Sequence, residues 1–139
     1  MGKYTELQKQ QMKSQAIRRL AEIFYDHFEE GRVGSSRIFE HIVPDEWIIR
    51  GQSNGGENRE HVVPCARIRN DCIKMYTEGK SKEEVASMIE RHLWIVLITK
   101  QEADKLNREL GWQNDMPAEW QYENGDPFFR LHEAGIVFS

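Results

Sequence analysis

The chain predicts an α+β fold: one domain with a small antiparallel or mixed sheet, packed by five to six helices. Three observations carry that reading. Apolar residues recur at three- and four-residue steps through the first thirty positions, as in a helix with one buried face. Leu93-Trp94-Ile95-Val96-Leu97-Ile98 is the most apolar and β-branched run, and it reads as a strand buried on both faces. With 139 residues, 39% apolar and 10% aromatic, the chain has enough to bury for one core and one domain.

In order, Leu7, Ala16, Ile17, Leu20, Ala21, Ile23, Phe24 and Phe28 place a long amphipathic helix over the first thirty residues, which Gly31 ends. Its charge order opposes the helix dipole: Lys3, Lys9, Lys13, Arg18 and Arg19 come first, and Glu22, Asp26, Glu29 and Glu30 last. Either these charges form a solvated face or the basic half is a contact surface. Ser35 and Ser36 cap a short helix over 37–42, closed by Pro44. Trp47 to Arg50 reads as a strand, 51–58 as a turn-rich hairpin or exposed loop, and Arg59 to Val63 as a second extended stretch. Pro64 opens a helix to about Glu78, stopped by Gly79. Ser81-Lys82-Glu83-Glu84 and Thr99-Lys100-Gln101-Glu102 are capping boxes, which start helices ending near His92 and Leu110. In the tail, 112–139, Asp126 caps a short helix to Ala134, and Ile136 to Phe138 forms a last strand.

The 19 bases and 23 acids leave a formal charge of −4, against a general nucleic-acid coat. The imbalance is local: residues 100–139 carry four bases against eight acids, and the first twenty carry five bases against Glu6. No run nears the roughly 18 apolar residues of a membrane span. The polar start MGKYTELQKQQMK lacks a signal-peptide core, so a soluble, cytoplasmic protein is expected. Cys65 and Cys72 are too few for a disulfide framework and read as reduced core thiols. The alternative is a metal shared with His61 and one of His41 or His92.

The sharpest local feature is Arg59-Glu60-His61-Val62-Val63-Pro64. A carboxylate beside an imidazole at a strand end divides the tasks of phosphodiester hydrolysis: the acid holds a divalent metal, and the neutral ring takes a proton from water. An exposed polar pair before a helix-starting proline is the plainer alternative. These residues resemble the HNH, or ββα-metal, endonuclease family, in which an acid-His pair followed by two residues and Pro ends a strand. A second strand then leads into a helix with further ligands, a pattern that 94–98 and 101–110 match.

The resemblance covers about residues 59–107 and implies a metal-dependent nuclease or a degenerate derivative of one. His61 would be the general base, Glu60 and Asn107 the ligands of Mg²⁺, Mn²⁺ or Zn²⁺, and Arg59 and Arg67 the phosphate contacts. Three features depart from the family. Two helices are inserted between the strands, Ala103 stands where a His is common, and no pair of Cys-x-x-Cys motifs is present.

A second expectation belongs to a different class. Trp112, Met116, Trp120, Tyr122, Phe128 and Phe129 make the tail aromatic, with Arg130 as its one base after residue 111. Such a tail either packs over the core or anchors a protein partner through Trp112 and Trp120. The chain would then be a non-catalytic interaction protein of phage or mobile-element type that modulates a nucleic-acid enzyme through this tail or the basic first helix. A homodimer joined along that helix is compatible with either.

Overall fold

The computed structural model describes residues 4–139. The expected α+β domain is found, with six α-helices among the described residues around a three-stranded mixed sheet. Lys3, expected at the basic start of the first helix, lies outside the described residues.

Helix α1, Glu6–Glu29, begins at a complete capping box: the Thr5 hydroxyl accepts from Gln8 N–H, and the Gln8 side chain accepts from Thr5 N–H. Its buried residues, Ala16, Ile17, Leu20, Ala21 and Phe24, all follow the tenth helical position, so the first ten positions, 6–15, place no fully buried side chain in the core. Helix α2, Ile38–Ile42, sets Phe39 against Phe24, with ring centroids 5.3 Å apart. A 3₁₀ turn, Asp45–Trp47, occupies the start of the expected first strand, and β1 follows at Ile49–Gln52.

Strand β2, Asn58–His61, is not the hairpin partner of β1. Strand β3, Ile95–Ile98, lies between them, parallel to β1 and antiparallel to β2. The reason is burial: Ile95, Val96 and Ile98 are fully buried, whereas β1 and β2 contain no fully buried residue and so take the edges. Gly56 lets the loop between the edge strands close over the end of β3, because a Cβ there would fall 2.0 Å from the Ile98 carbonyl carbon.

Helices α3, Cys65–Thr77, and α4, Lys82–His92, form the insertion between β2 and β3 and pack on α1. Pro64 is the N-cap of α3, one position earlier than expected. The Tyr76 hydroxyl donates to the Ala21 carbonyl at 2.6 Å and fastens α3 to α1. Helix α5, Lys100–Asp104, starts on the expected Thr99 capping box, but Lys105–Glu109 continues as a π-helical turn.

The tail folds onto the core, burying Met116, Trp120, Tyr122, Leu131 and Ile136, with α6 at Phe129–Glu133. The expected last strand reduces to Ser139, which exchanges two backbone hydrogen bonds with Gln52 on the outer edge of β1. Among the described residues, no helix is long and apolar enough to cross a membrane.

Candidate functional site

His61 ends β2 where the strand meets α3, and the antiparallel register sets it opposite Ile95. Together with Glu60 and Cys65 it lines a cleft of about 140 Å³, whose rim includes Arg37 and Glu40 from around α2 and Gln113 and Asn114 from the tail. Burial lowers the His61 pKa, and Arg130 adds to that, while Asp45, Glu40 and Glu60 pull the other way. The ring is therefore held neutral at pH 7, as a proton acceptor must be. Burial beside Glu40 and Asp45 pushes the Cys65 thiol up to about 12, so it is not a thiolate.

Glu60 has a partner that the sequence did not announce. Its Oε2 accepts a 2.9 Å hydrogen bond from Nη2 of Arg130, whose side chain is 0% exposed. The same nitrogen donates to the His61 carbonyl, and Nη1 donates to the Trp112 carbonyl at 2.9 Å. A buried guanidinium is thus clasped by one carboxylate and two carbonyls at the corner where β2, the tail and α6 meet. The sequence marks Arg130 only as the single Lys or Arg after residue 111, with no sign of its partner.

Of the two Glu60 oxygens, Oε2 is engaged by the Arg130 guanidinium, whose fixed positive charge opposes a cation placed beside it. Asn107, the other expected ligand, lies in the π-helical turn and does not line the cleft; its Oδ1 is buried without a hydrogen-bond partner. No group of three or more His, Cys, Asp or Glu side chains is poised around a common point among the described residues, including His61 with Cys65 and Cys72.

The other expected site residues also have internal partners. Arg59 pairs with Asp45 at 2.9 Å and approaches Glu46 at 3.6 Å. Arg67 is bound to Asp71 at 3.1 Å, to Asp115 at 2.9 Å and to the Trp120 carbonyl at 3.2 Å, which binds the tail to α3 rather than leaving a free phosphate contact. Trp120 corrects the expectation of a partner anchor. It is 4% exposed, its Nε1 donates to the Asp126 carbonyl at 2.8 Å, and its ring meets His92 edge-on at 5.1 Å. Trp112 is half-buried, with its carbonyl given to Arg130.

Comparison with protein-family models, curated proteins and solved structures returns no match.

Proposed function

We propose that the chain binds nucleic acid as a non-cleaving derivative of a ββα-metal endonuclease, with Arg130 in place of the cation. The supporting observation is the buried Arg130 guanidinium on Glu60 Oε2 and the His61 carbonyl, beside a His61 that ends β2 of a strand–strand–helix unit. A guanidinium supplies a fixed positive charge, but it has no open coordination position and does not acidify a water. The neutral imidazole of His61, with Arg37, Gln113 and Asn114 on the same cleft, is then left for binding.

The test pairs binding with cleavage. Anisotropy of labelled single-stranded and duplex oligonucleotides in EDTA is expected to show binding, and plasmid incubated with Mg²⁺, Mn²⁺ or Zn²⁺ is expected to stay intact. Metal-dependent nicking that disappears in His61→Ala would replace the derivative with an active nuclease. No binding to either oligonucleotide would remove nucleic acid as the ligand.

One observation favours a second reading, a protein that docks on another protein. The first ten residues of α1 bury no side chain fully, and Leu7 is 65% exposed there. Of the two contact surfaces that the sequence offered, the tail and the basic first helix, this reading uses the helix.

A further inference from the structure

Lys13 of α1 and Arg50 of β1 converge on one indole. The Lys13 Nζ lies 3.7 Å from the Trp94 ring centroid, and the Arg50 Cζ lies 4.6 Å from the same ring and 5.7 Å from that of Phe128. A cation over an aromatic face is attracted to it, but two cations on one ring repel each other. Arg59, Arg67 and Arg130 each hold a carboxylate. Among the described residues, neither the Lys13 ammonium nor the Arg50 guanidinium makes an ion pair or a side-chain hydrogen bond. Burial lowers the Lys13 pKa, Arg50 adds to that, and Glu90 opposes it without reaching ion-pair distance.

The placement is built into the backbone. The register of β1 against β3 slips between Ile49 and Gly51, so Arg50 occupies a bulge, a device that re-aims a side chain. Arg50 is exposed while Trp94 and Lys13 are half-buried, so the indole fixes the cations where solvent still reaches them. The Trp94 carbonyl accepts from the Val62 N–H, directly after His61, so the paired cations and the His61 cleft share one end of the sheet. Strands are spaced about 4.8 Å apart, which puts β1 and β2 roughly 10 Å from each other across β3. A polymer carrying regularly spaced negative charge can span that distance, and a single small anion cannot.

We infer that Lys13 and Arg50, laid on Trp94, form a phosphate notch for the backbone of a nucleic-acid strand that continues toward the His61 cleft. The inference takes its ligand class from the function proposed above and adds a contact outside that cleft. The guanidinium offers paired donors matched to phosphate oxygens, and the ammonium offers a compact charge beside it.

The experiment measures anisotropy of fluorescein-labelled dT20 and of a 20-base-pair duplex in EDTA over a salt series, with the wild-type chain and the Lys13→Gln/Arg50→Gln variant. The variant is expected to bind dT20 about tenfold more weakly, with a salt slope shallower by about 1.4, from about 0.7 per lost phosphate contact on a single strand. Arg50→Lys, which keeps the charge but loses the fork, is expected to fall between the two. Thermal melting and circular dichroism of each variant separate lost binding from lost folding.

Equal affinity and equal slope in a folded double variant would overturn the notch while leaving the nucleic-acid reading standing. A wild-type chain that binds neither oligonucleotide would overturn both. Binding to phosphatidylserine vesicles that is lost in the double variant, with oligonucleotide binding unchanged, would overturn the inference in favour of a lipid surface.

Discussion

Arg130 and Arg50 carry the same guanidinium at the same end of the sheet, in opposite settings. Arg130 is fully buried, with its Nη atoms donating to a carboxylate and two carbonyls. Arg50 is exposed and rests on Trp94, with Lys13 as its neighbour and no acid in contact. A charge removed from water must be matched by the fold, so the first guanidinium is a structural part. A charge left in water over an aromatic face needs no internal match, so the second is free to meet a ligand. On the function proposed above, the contrast separates two roles: Arg130 fills the place at Glu60 that a cation would take, and the notch on Trp94 would meet phosphate.

The largest expected effect falls on the closed corner. Arg130→Ala leaves Glu60 without its cation and should cost about 3–5 kcal/mol of stability, read as a lower urea midpoint. The double variant Glu60→Gln/Arg130→Met, which removes both charges and keeps the volume, should lose clearly less than the sum of its single variants. Additive losses would mean that the pair is not coupled. Gly56→Ala comes next. It drives a methyl group into the backbone at the end of β3 and should cost on the order of 1–3 kcal/mol, as overpacking does, with hydrogen exchange accelerated in β3.

His92 gives a smaller effect, dependent on pH. It is 0% exposed, and burial lowers its pKa to about 3. The unfolded chain takes up a proton near pH 6.5 that the folded chain refuses, so this contribution is complete above about pH 6.5 and is lost as the pH falls toward 3. Denaturation across that range should show a slope that flattens in His92→Gln. Asp71, pushed up to about 6 by burial against the pull of Arg67, works with the opposite sign between about pH 4 and 6. Asp71→Asn should therefore steepen the slope.

The smallest stability effect belongs to the open notch. Lys13→Gln and Arg50→Gln should each shift stability by no more than about 0.5–1 kcal/mol, the usual worth of an exposed cation on a ring, as read by thermal melting. A loss as large as that of Arg130→Ala would make the notch a structural element and erase the contrast.

Much of the fold was legible because local chemistry decided it. The capping hydroxyls of Thr99 and Ser81, the stops at Gly31, Gly79 and Gly111, and the apolar run of β3 all act through neighbours within four residues. The strand order was not legible. Nothing local to Ile49–Gln52 or Asn58–His61 shows that a segment thirty residues later enters between them. The same limit applied to the site. Glu60 and His61 were found from adjacency, and the structure does place both on one cleft. Their controlling partner, Arg130, is seventy positions from Glu60. Arg67, Trp112 and Trp120 have chemistry suited to ligands, but packing binds the first to the tail, buries the third and half-buries the second.

By itself, the sequence determined the capped helix starts and glycine stops, the buried central strand, the acidic character of the tail and the acid-imidazole pair, because periodicity, capping and burial preference are local properties of the chain. Tertiary structure alone decided which charges meet. It set Arg130 on Glu60 and left Lys13 and Arg50 open on Trp94, because ion pairing depends on distances between segments far apart in sequence.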